Sequence, residues 1–389
     1  MVLARTCLMG LVLLASVGLS TLQAQTEERL TKPDATYPEG FALVQTVREL
    51  ADGRVMVADP LGQVLLIVDM KAGTADTLGG VGQGPGEYRQ PDAVFALPGE
   101  ATLLVDLGNA RLSEIGPDGT FGETMPITRG EPGSGGGLVI VLPRGTDSRG
   151  HLYYLPFGSM ARRGVPDSAA IVRYDRASGA MDTISQVKLP DMTQSTSGGA
   201  GNQNVMISPI PLSAEDAWAV AWDGRVAVAR SSDYHVEWVH PDGEVVSGEP
   251  VDYEPVKIRQ ADKETWAEGM GNGLRIGMSI ENGDRRVSFG RGGGGDGPDL
   301  DSFDWPDVKP PFVSSGVFVT PEGDVWVQRS VPAGEDVAFD VFGTDAELKG
   351  KVTMPAGRDV VGFGNGTVYV IVTDDLGLQW LERYKRSTT

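Results

Sequence analysis

Six short apolar segments recur along the chain, and each begins just after a glycine or a polar turn. They follow Gly53, Glu100, Gly150, Gly224, Gly323 and Gly366, and they read RVMVAD, ATLLVD, HLYYLP, RVAVAR, DVWVQR and TVYVIV. Runs of this length, rich in Val, Leu and Tyr and bounded by turn residues, predict β-strands. Most are followed by a polar turn and a further candidate strand: QVLLIVD, RLSEIGP, AAIVRYD, HVEWVHP, VAFDVFG and LQWLERY.

The most complete unit spans residues 80–123 and predicts four short strands joined by tight turns. The strands are predicted at 91–97, 101–106, 111–115 and 120–127. Four hairpin-linked strands in about 45 residues are typical of one blade of a β-propeller. Six copies therefore predict an all-β fold, a six-bladed β-propeller. Seven blades are the alternative, since an insertion at 256–311 or residues 124–142 could conceal one more.

Two stretches of this unit carry a family resemblance. Residues 106–111 (DLGNAR), followed by 117–119 (PDG), resemble the core of the NHL repeat, a propeller blade type. Residues 84–88 (GPGEY) and Pro91 resemble the lead-in loop of bacterial six-bladed propellers of the NHL-repeat and TolB-like kind. The match covers this one blade. It implies the propeller fold, and such propellers often bind partners.

The N-terminus has the pattern of a secretory signal peptide over residues 1–24. Arg5 precedes the apolar segment 8–19, and Ala24 ends a plausible cleavage site. An uncleaved membrane anchor is the alternative. Cys7, the only cysteine in the chain, lies too early for a lipoprotein anchor. We therefore expect a periplasmic or extracellular protein with one propeller domain at 25–389, stabilised without disulfides.

The last repeat lacks an outer strand, which the N-terminal segment could supply from residues 26–30 or 37–46. Closing the ring with strands from both termini would remove an open sheet edge.

The chain is strongly acidic, and this restricts its partners. It carries 53 Asp and Glu against 33 Lys and Arg, a formal net charge of −20. Such a surface repels nucleic acid and anionic lipid. We expect a protein or small-molecule partner in the cell envelope, no nucleic acid, and no membrane insertion after the signal is cleaved.

The insertion at about 256–311, between the fourth and fifth units, begins with a helical composition (IRQADKETWAEGM) and ends in an acidic run. The acids of that run are Asp296, Asp299, Asp301, Asp304 and Asp307. Hard cations prefer oxygen ligands, so calcium is possible. The spacing does not fit an EF-hand, and the surrounding Gly and Pro favour a solvated loop. We expect no cofactor.

No recognisable catalytic set is present. The three histidines, His151, His235 and His240, are scattered, and no nucleophile elbow, zinc motif or cysteine pair occurs. We therefore predict no catalytic and no metal-binding residues.

Equivalent positions in the predicted second strands give the candidate binding residues. The sixth positions of the second strands include Asp59, Asp106, Arg230 and Arg329, and the ends of second strands should surround one mouth of the central channel. A small charged or zwitterionic ligand, or a peptide segment, could bind there. The competing interpretation is that the two aspartates tie down the following turns through backbone N–H groups.

Two functions remain open from the sequence. The first is a binding or scaffold protein of the bacterial envelope that acts through the channel mouth or the insertion. The second is a calcium-dependent hydrolase or lyase of the lactonase kind, because six-bladed relatives place a metal in the channel. No Glu, Asn and Asp set can be matched to that site residue by residue.

Overall fold

The chain forms six antiparallel blades arranged as a ring, which confirms the six-bladed β-propeller. The computed structural model describes residues 26–129, 139–156, 166–197, 204–270, 273–281, 284–291 and 298–387. The first strands of blades 6, 1, 2, 3, 4 and 5 contact each other in that order, so they line a central channel. The predicted signal peptide lies outside the described residues.

The strands of each blade are given from the channel outwards. Blade 1 comprises Val47–Glu49, Val55–Asp59, Val64–Asp69 and Thr74–Thr77; blade 2, Pro91–Ala96, Thr102–Asp106, Arg111–Ile115 and Phe121–Pro126; and blade 3, Gly145–Thr146, Leu152–Tyr154, Ser168–Tyr174 and Met181–Lys188. Blade 4 comprises Ala217–Val220, Val226–Arg230, His235–Val239 and Val245–Ser247; blade 5, Phe312–Val319, Val325–Arg329, Val337–Phe342 and Leu348–Met354; and blade 6, Arg358–Gly364, Thr367–Thr373, Gln379–Lys385 and Ala35–Thr36.

The ring is closed by strands from both ends of the chain, as the missing outer strand predicted. Ala35–Thr36 pairs antiparallel with the third strand of blade 6. This short strand falls between the two segments that the sequence suggested. Thr26–Arg29 instead pairs parallel with Leu348–Met354 and adds a fifth strand to blade 5. The outer edges of both blades are therefore built from the N-terminal segment.

The core lies between the blades. All five residues of Val55–Asp59 and of Thr102–Asp106 are buried, because a second strand has neighbours on both sides of its sheet and a blade against each face. Large aromatic side chains fill the remaining space, and Trp238 donates its indole N–H to the carbonyl of Gly343 in the next blade at 2.9 Å. This double-sided burial explains why the second strands are apolar at almost every position.

All long connections of the ring leave from one face. Strand direction alternates within a blade, so links between second and third strands share a face with links from one blade to the next. The blade-to-blade links include 78–90, 127–144, 189–216 and 248–311. The opposite face carries the short turns between first and second strands and between third and fourth strands. We call these the long-connection face and the short-turn face.

The long connections contain further structure of their own. Two-stranded ribbons form from Gly80–Val81 with Glu87–Tyr88, Thr128–Arg129 with Val139–Ile140, Met192–Ser197 with Asn204–Pro209, and Leu274–Glu281 with Asp284–Arg291. We call the last of these the mouth ribbon.

The insertion between blades 4 and 5 also contains the predicted helix, at Gln260–Met270. Asp262 fixes the start of the helix, because its carboxylate accepts the backbone N–H of Arg259 at 2.8 Å and lies 2.6 Å from Nζ of Lys309. Across the described ranges, no helix is both long enough and apolar enough to span a bilayer.

Candidate functional site

The four residues predicted from register all lie at the ends of second strands on the long-connection face. Each of them is engaged by other groups of the protein. Their contacts are therefore the first evidence about which charges at this mouth remain available to a ligand.

Asp59 anchors the segment that closes the ring. One carboxylate oxygen accepts the backbone N–H of Ala42 at 2.7 Å. The other accepts those of Leu43 at 3.1 Å, Leu61 at 3.1 Å and Gly62 at 2.7 Å. The side chain therefore holds two segments together: the turn that follows it, and the segment that leads from the outer strand of blade 6 into blade 1. Asp59 is 3% exposed, which leaves little of it for a ligand.

Asp106 occupies the same position in blade 2 and is fully buried. It accepts the backbone N–H groups of Arg89 and Gln90, each at 3.1 Å, and the side-chain amide of Asn109 at 2.7 Å. Nε of Arg111 lies 3.5 Å away. These contacts match the turn-anchoring interpretation of the two aspartates.

Arg230 joins blades 3 and 4. Its guanidinium donates to the Glu237 carboxylate at 2.6 and 2.8 Å, to Asp216 at 3.0 Å and to the carbonyl of Gln186 at 2.7 Å. Burial alone would raise the pKa of Asp216, but hydrogen bonds from the Lys188 and Ser231 backbone and from Arg230 outweigh it and lower that pKa. An arginine fixed in this way stabilises the ring.

Arg329 has a similar role at blade 5. Its Nε donates to Asp340 at 2.6 Å, and the hydroxyl of Tyr234 from blade 4 donates to the same carboxylate oxygen. Asp340 is only 2% exposed. Burial, and then the adjacent Asp340 charge, raise the pKa of Tyr234 well above its usual value. Arg329 and Asp340 thus form an ion pair within blade 5, and the Tyr234 hydroxyl links this pair to blade 4 through a hydrogen bond.

Within the described ranges, two other charged residues, on or directly beside inner strands, lack such partners, and the first is Asp359. It is the second residue of the first strand of blade 6 and is solvent-exposed. Among the described residues, no side chain or backbone group makes a hydrogen bond or ion pair with its carboxylate. Burial among the surrounding protein nevertheless raises its pKa. A side chain that is open to water but closely surrounded by protein is expected on the wall of a narrow, water-filled channel.

The second is Arg144, immediately before the first strand of blade 3. Its side chain is exposed, and its guanidinium lies over the Trp218 ring at 5.3 Å from the centroid. It forms no ion pair within 4.0 Å with any described residue. Burial lowers its pKa, and the more distant Glu215 charge opposes that shift. Arg144 and Asp359 belong to blades 3 and 6, which face each other across a ring of six.

The mouth ribbon reaches across the ring from the insertion between blades 4 and 5. Its last residue, Arg291, pairs with Asp92 of blade 2 and donates its backbone N–H to the side chain of Gln90 at 3.2 Å. Leu274 and Phe289 pack against the apolar cluster shared by blades 2 and 3. Burial raises the pKa of Asp92, and Arg291 opposes that shift. The ribbon therefore covers part of the channel mouth.

An open cleft of about 500 Å³ lies beside this ribbon on the long-connection face. It is lined by Gln63, Val81, Arg89, Gln90 and Gly108. Gln90 contacts both the cleft and Arg291. The face thus offers two adjoining concave features, the channel mouth and this cleft.

Sequence reasoning missed Arg144 and Asp359 because it followed the second strands. The first strands are shorter or carry register shifts, as between Val360 and Gly362 in blade 6. The signal that was available is a charged residue within or beside an inner strand, as Asp359 is in blade 6 and Arg144 is in blade 3.

The acidic run does not form a cluster in the part that the structure describes. Asp299 accepts the backbone N–H of Asp301 at 3.1 Å and begins a short 3₁₀ turn, and Asp304 accepts the hydroxyl of Thr193 at 3.1 Å. Asp296 lies outside the described residues. Across the described ranges, no three His, Cys, Asp or Glu side chains are grouped so that they could hold a metal ion.

Two of the histidines serve local structure. Nδ1 of His151 lies 2.8 Å from Asp147, and Nδ1 of His235 lies 2.7 Å from Asp233.

Comparison with known proteins assigns the chain to no family. No family model matches the chain, and no curated protein matches it. Among solved structures, it is similar to a member of the DUF4221 family from Bacteroides vulgatus, at 9% identity and a TM-score of 0.44, over 92% of this chain and 95% of that chain.

Two further solved structures have a similar overall form. The calcium-binding protein regucalcin from Agrobacterium tumefaciens matches at 14% identity and a TM-score of 0.39, over 92% of this chain and 97% of that chain. A gluconolactonase from Xanthomonas campestris matches at 12% identity and a TM-score of 0.39, over 90% and 91%. Similarity at this level says nothing about the chemistry of the present chain.

Proposed function

We propose that this protein is an exported binding protein of the bacterial envelope, and that its ligand or partner segment carries both an anionic and a cationic group. The observation that supports this is the pair formed by Arg144 and Asp359. They are charges of opposite sign on facing blades, reached by solvent, and without an ion-pair partner among the described residues. A ligand that bridges the channel would neutralise both.

The surroundings of the pair favour binding over an open pore. The long connections converge on this face, and functional residues concentrate on loops that a rigid scaffold positions. The mouth ribbon, held by Arg291 and Asp92, restricts access from one side. Arg230 and Arg329 lie on the same face, but their guanidinium groups are already paired. They support the mouth and are secondary candidates for ligand contact.

Amino acids of increasing chain length would test the pairing of charges. Glycine, 4-aminobutyrate, 6-aminohexanoate and 8-amino-octanoate separate the two charged groups by growing distances. We expect one length to raise the melting temperature and to bind in calorimetric titration. Hexanoate and hexylamine, which each carry one of the two charges, should bind much more weakly.

Variants then locate the binding. Arg144→Gln and Asp359→Asn should each abolish both the binding of the amino acid and the rise in melting temperature. The matched controls Arg149→Gln and Asp375→Asn change exposed side chains that form no ion pair among the described residues, and they should preserve both. Equal binding of the single-charge analogues, no binding at any length, or unchanged binding by both site variants would contradict the proposal.

Export is tested separately. When the chain is expressed in a bacterium with its own N-terminus, mass spectrometry of the periplasmic or secreted fraction should detect a protein that begins near residue 25. A full-length product retained in the membrane fraction would instead support the uncleaved anchor.

A further inference from the structure

A second concave site lies far from the channel mouth, between the outer parts of blades 5 and 6. It is a cleft of about 600 Å³ near the short-turn face. One wall is the added strand Thr26–Arg29 with its extension to Lys32, and the other is the end of the third strand of blade 6, at 385–387. Trp326, Val341 and Val352 contribute apolar side chains to its lining.

The charge of this cleft is opposite to that of the protein. The chain has a net charge of −20, yet the cleft is lined by more basic than acidic residues. The basic residues are Arg29, Lys32, Lys349, Lys351, Lys385 and Arg386, and the acidic ones are Glu27, Glu28 and Asp324. A local excess of positive charge on an acidic protein attracts an anion while the remaining surface repels it.

Several of these cations are available. Lys32 and Lys351 are exposed and pair with no carboxylate among the described residues. Lys385 is 73% exposed at its side chain, and its nearest carboxylate, Asp34, is 3.9 Å away. By contrast, Lys349 is paired with Asp324 at 2.9 Å. The cleft therefore holds three ammonium groups that a ligand could use.

Two buried donors that line the cleft point to the same conclusion. The indole N–H of Trp326, a residue only 1% exposed, has no hydrogen-bond acceptor in the described part of the chain, and neither does Nε of Arg386. The guanidinium of Arg386 also lies over the Trp326 ring, 5.2 Å from its centroid. Buried donors without acceptors are rare, and an anionic ligand would supply acceptors.

We propose that this cleft is a binding site for an organic anion with an apolar body, such as an aryl phosphate or an aryl carboxylate. The apolar body would contact the Val and Trp lining, and the anionic group would lie among Lys32, Lys351 and Lys385. The site is independent of the channel mouth, because it lies near the opposite face and shares no residue with it.

Calorimetric titration of the purified chain with 1-naphthyl phosphate tests the proposal. We expect binding that weakens as salt is raised. 1-Naphthol, which lacks the charge, and inorganic phosphate, which lacks the apolar body, should each bind at least tenfold more weakly. The double variant Lys351→Glu/Lys385→Glu should also weaken naphthyl phosphate binding at least tenfold.

The control Lys71→Glu/Lys257→Glu makes the same change of charge at exposed positions outside the cleft, and it should bind like the unchanged protein. Arg144→Gln should also bind normally, which separates this site from the mouth. Absence of naphthyl phosphate binding, equal binding of naphthol, or equal weakening by both double variants would overturn the proposal.

Discussion

Replacing Asp59 should reveal whether this predicted mouth residue binds a ligand or holds the ring together. The carboxylate accepts four backbone N–H groups, from Ala42, Leu43, Leu61 and Gly62. Asp59→Ala removes all four hydrogen bonds. Hydrogen bonds to a charged group contribute about 1.5–3 kcal/mol each, but turn N–H groups regain hydrogen bonds to water once exposed. We expect a net loss of about 4 kcal/mol in the free energy of unfolding.

The expected shift in melting temperature follows from chain length. An unfolding entropy of about 2.1 cal/mol/K per residue gives about 0.8 kcal/mol/K for this chain. A loss of about 4 kcal/mol therefore lowers the melting temperature by about 5 °C in differential scanning calorimetry. Asp59→Asn keeps one acceptor oxygen but loses the charge. Its melting temperature should lie between those of the unchanged protein and Asp59→Ala.

Asp76→Ala is the control, because its side chain is 85% exposed and its nearest cation, on Arg54, is 3.9 Å away. It should shift the melting temperature by less than about 1 °C. A similarly small shift for Asp59→Ala would refute the reasoning. If such a variant also lost affinity for the amino acid that binds at the mouth, Asp59 would be a binding residue.

The remaining predictions concern charged groups and calcium. Asp359→Asn should raise the melting temperature at pH 7.5, because burial raises the pKa of Asp359 and so penalises its charged form. The gain should vanish below about pH 3.8, where the carboxyl is protonated in both states, and a gain that persists there would contradict this origin. Asp216→Asn should destabilise the protein at neutral pH. Because the pKa of Asp216 is lowered, that difference should be present above pH 3.8 and lost as the pH falls below it; a difference unchanged at pH 2 would argue against the ion pair with Arg230. Arg291→Ala removes a cation from the buried Asp92 and should cost about 3 kcal/mol, with faster amide exchange in the mouth ribbon; unchanged exchange would mean that the contact does not hold the ribbon. Finally, we expect no stoichiometric calcium by elemental analysis and no change in melting temperature with chelator, whereas bound calcium and a lower melting temperature would favour the calcium-dependent hydrolase.

The blades were predictable because their middle strands have a simple physical environment. A second strand such as Val325–Arg329 is hydrogen-bonded on both sides and covered on both faces, so its sequence is a short apolar run after a turn. The positive φ of Gly323, at 90°, explains why a glycine precedes that run. Local pattern and global fold agree at these positions, and the number of blades follows from counting them.

The elements and contacts that the sequence predicted less well have no local sequence pattern. The outer strand Ala35–Thr36 is two residues long and pairs with residues at the other end of the chain. The contact between Arg291 and Asp92 joins positions separated by 199 residues. Neither the length of the insertion nor its composition indicates that it reaches across the ring to blade 2. Such contacts depend on the closed fold and not on the nearby sequence.

The charged residues of the mouth fall into two groups with different physical consequences. Asp59, Asp106 and Arg230 direct their polar atoms into hydrogen bonds that join turns and neighbouring blades, so replacing them should weaken the ring. Arg144 and Asp359 are crowded by protein without receiving such bonds, and a charge in that position lowers stability. A cost of this kind is offset when a ligand supplies the missing opposite charge. The unpaired charges, rather than the paired ones that register predicted, are therefore the residues at which binding should be sought first.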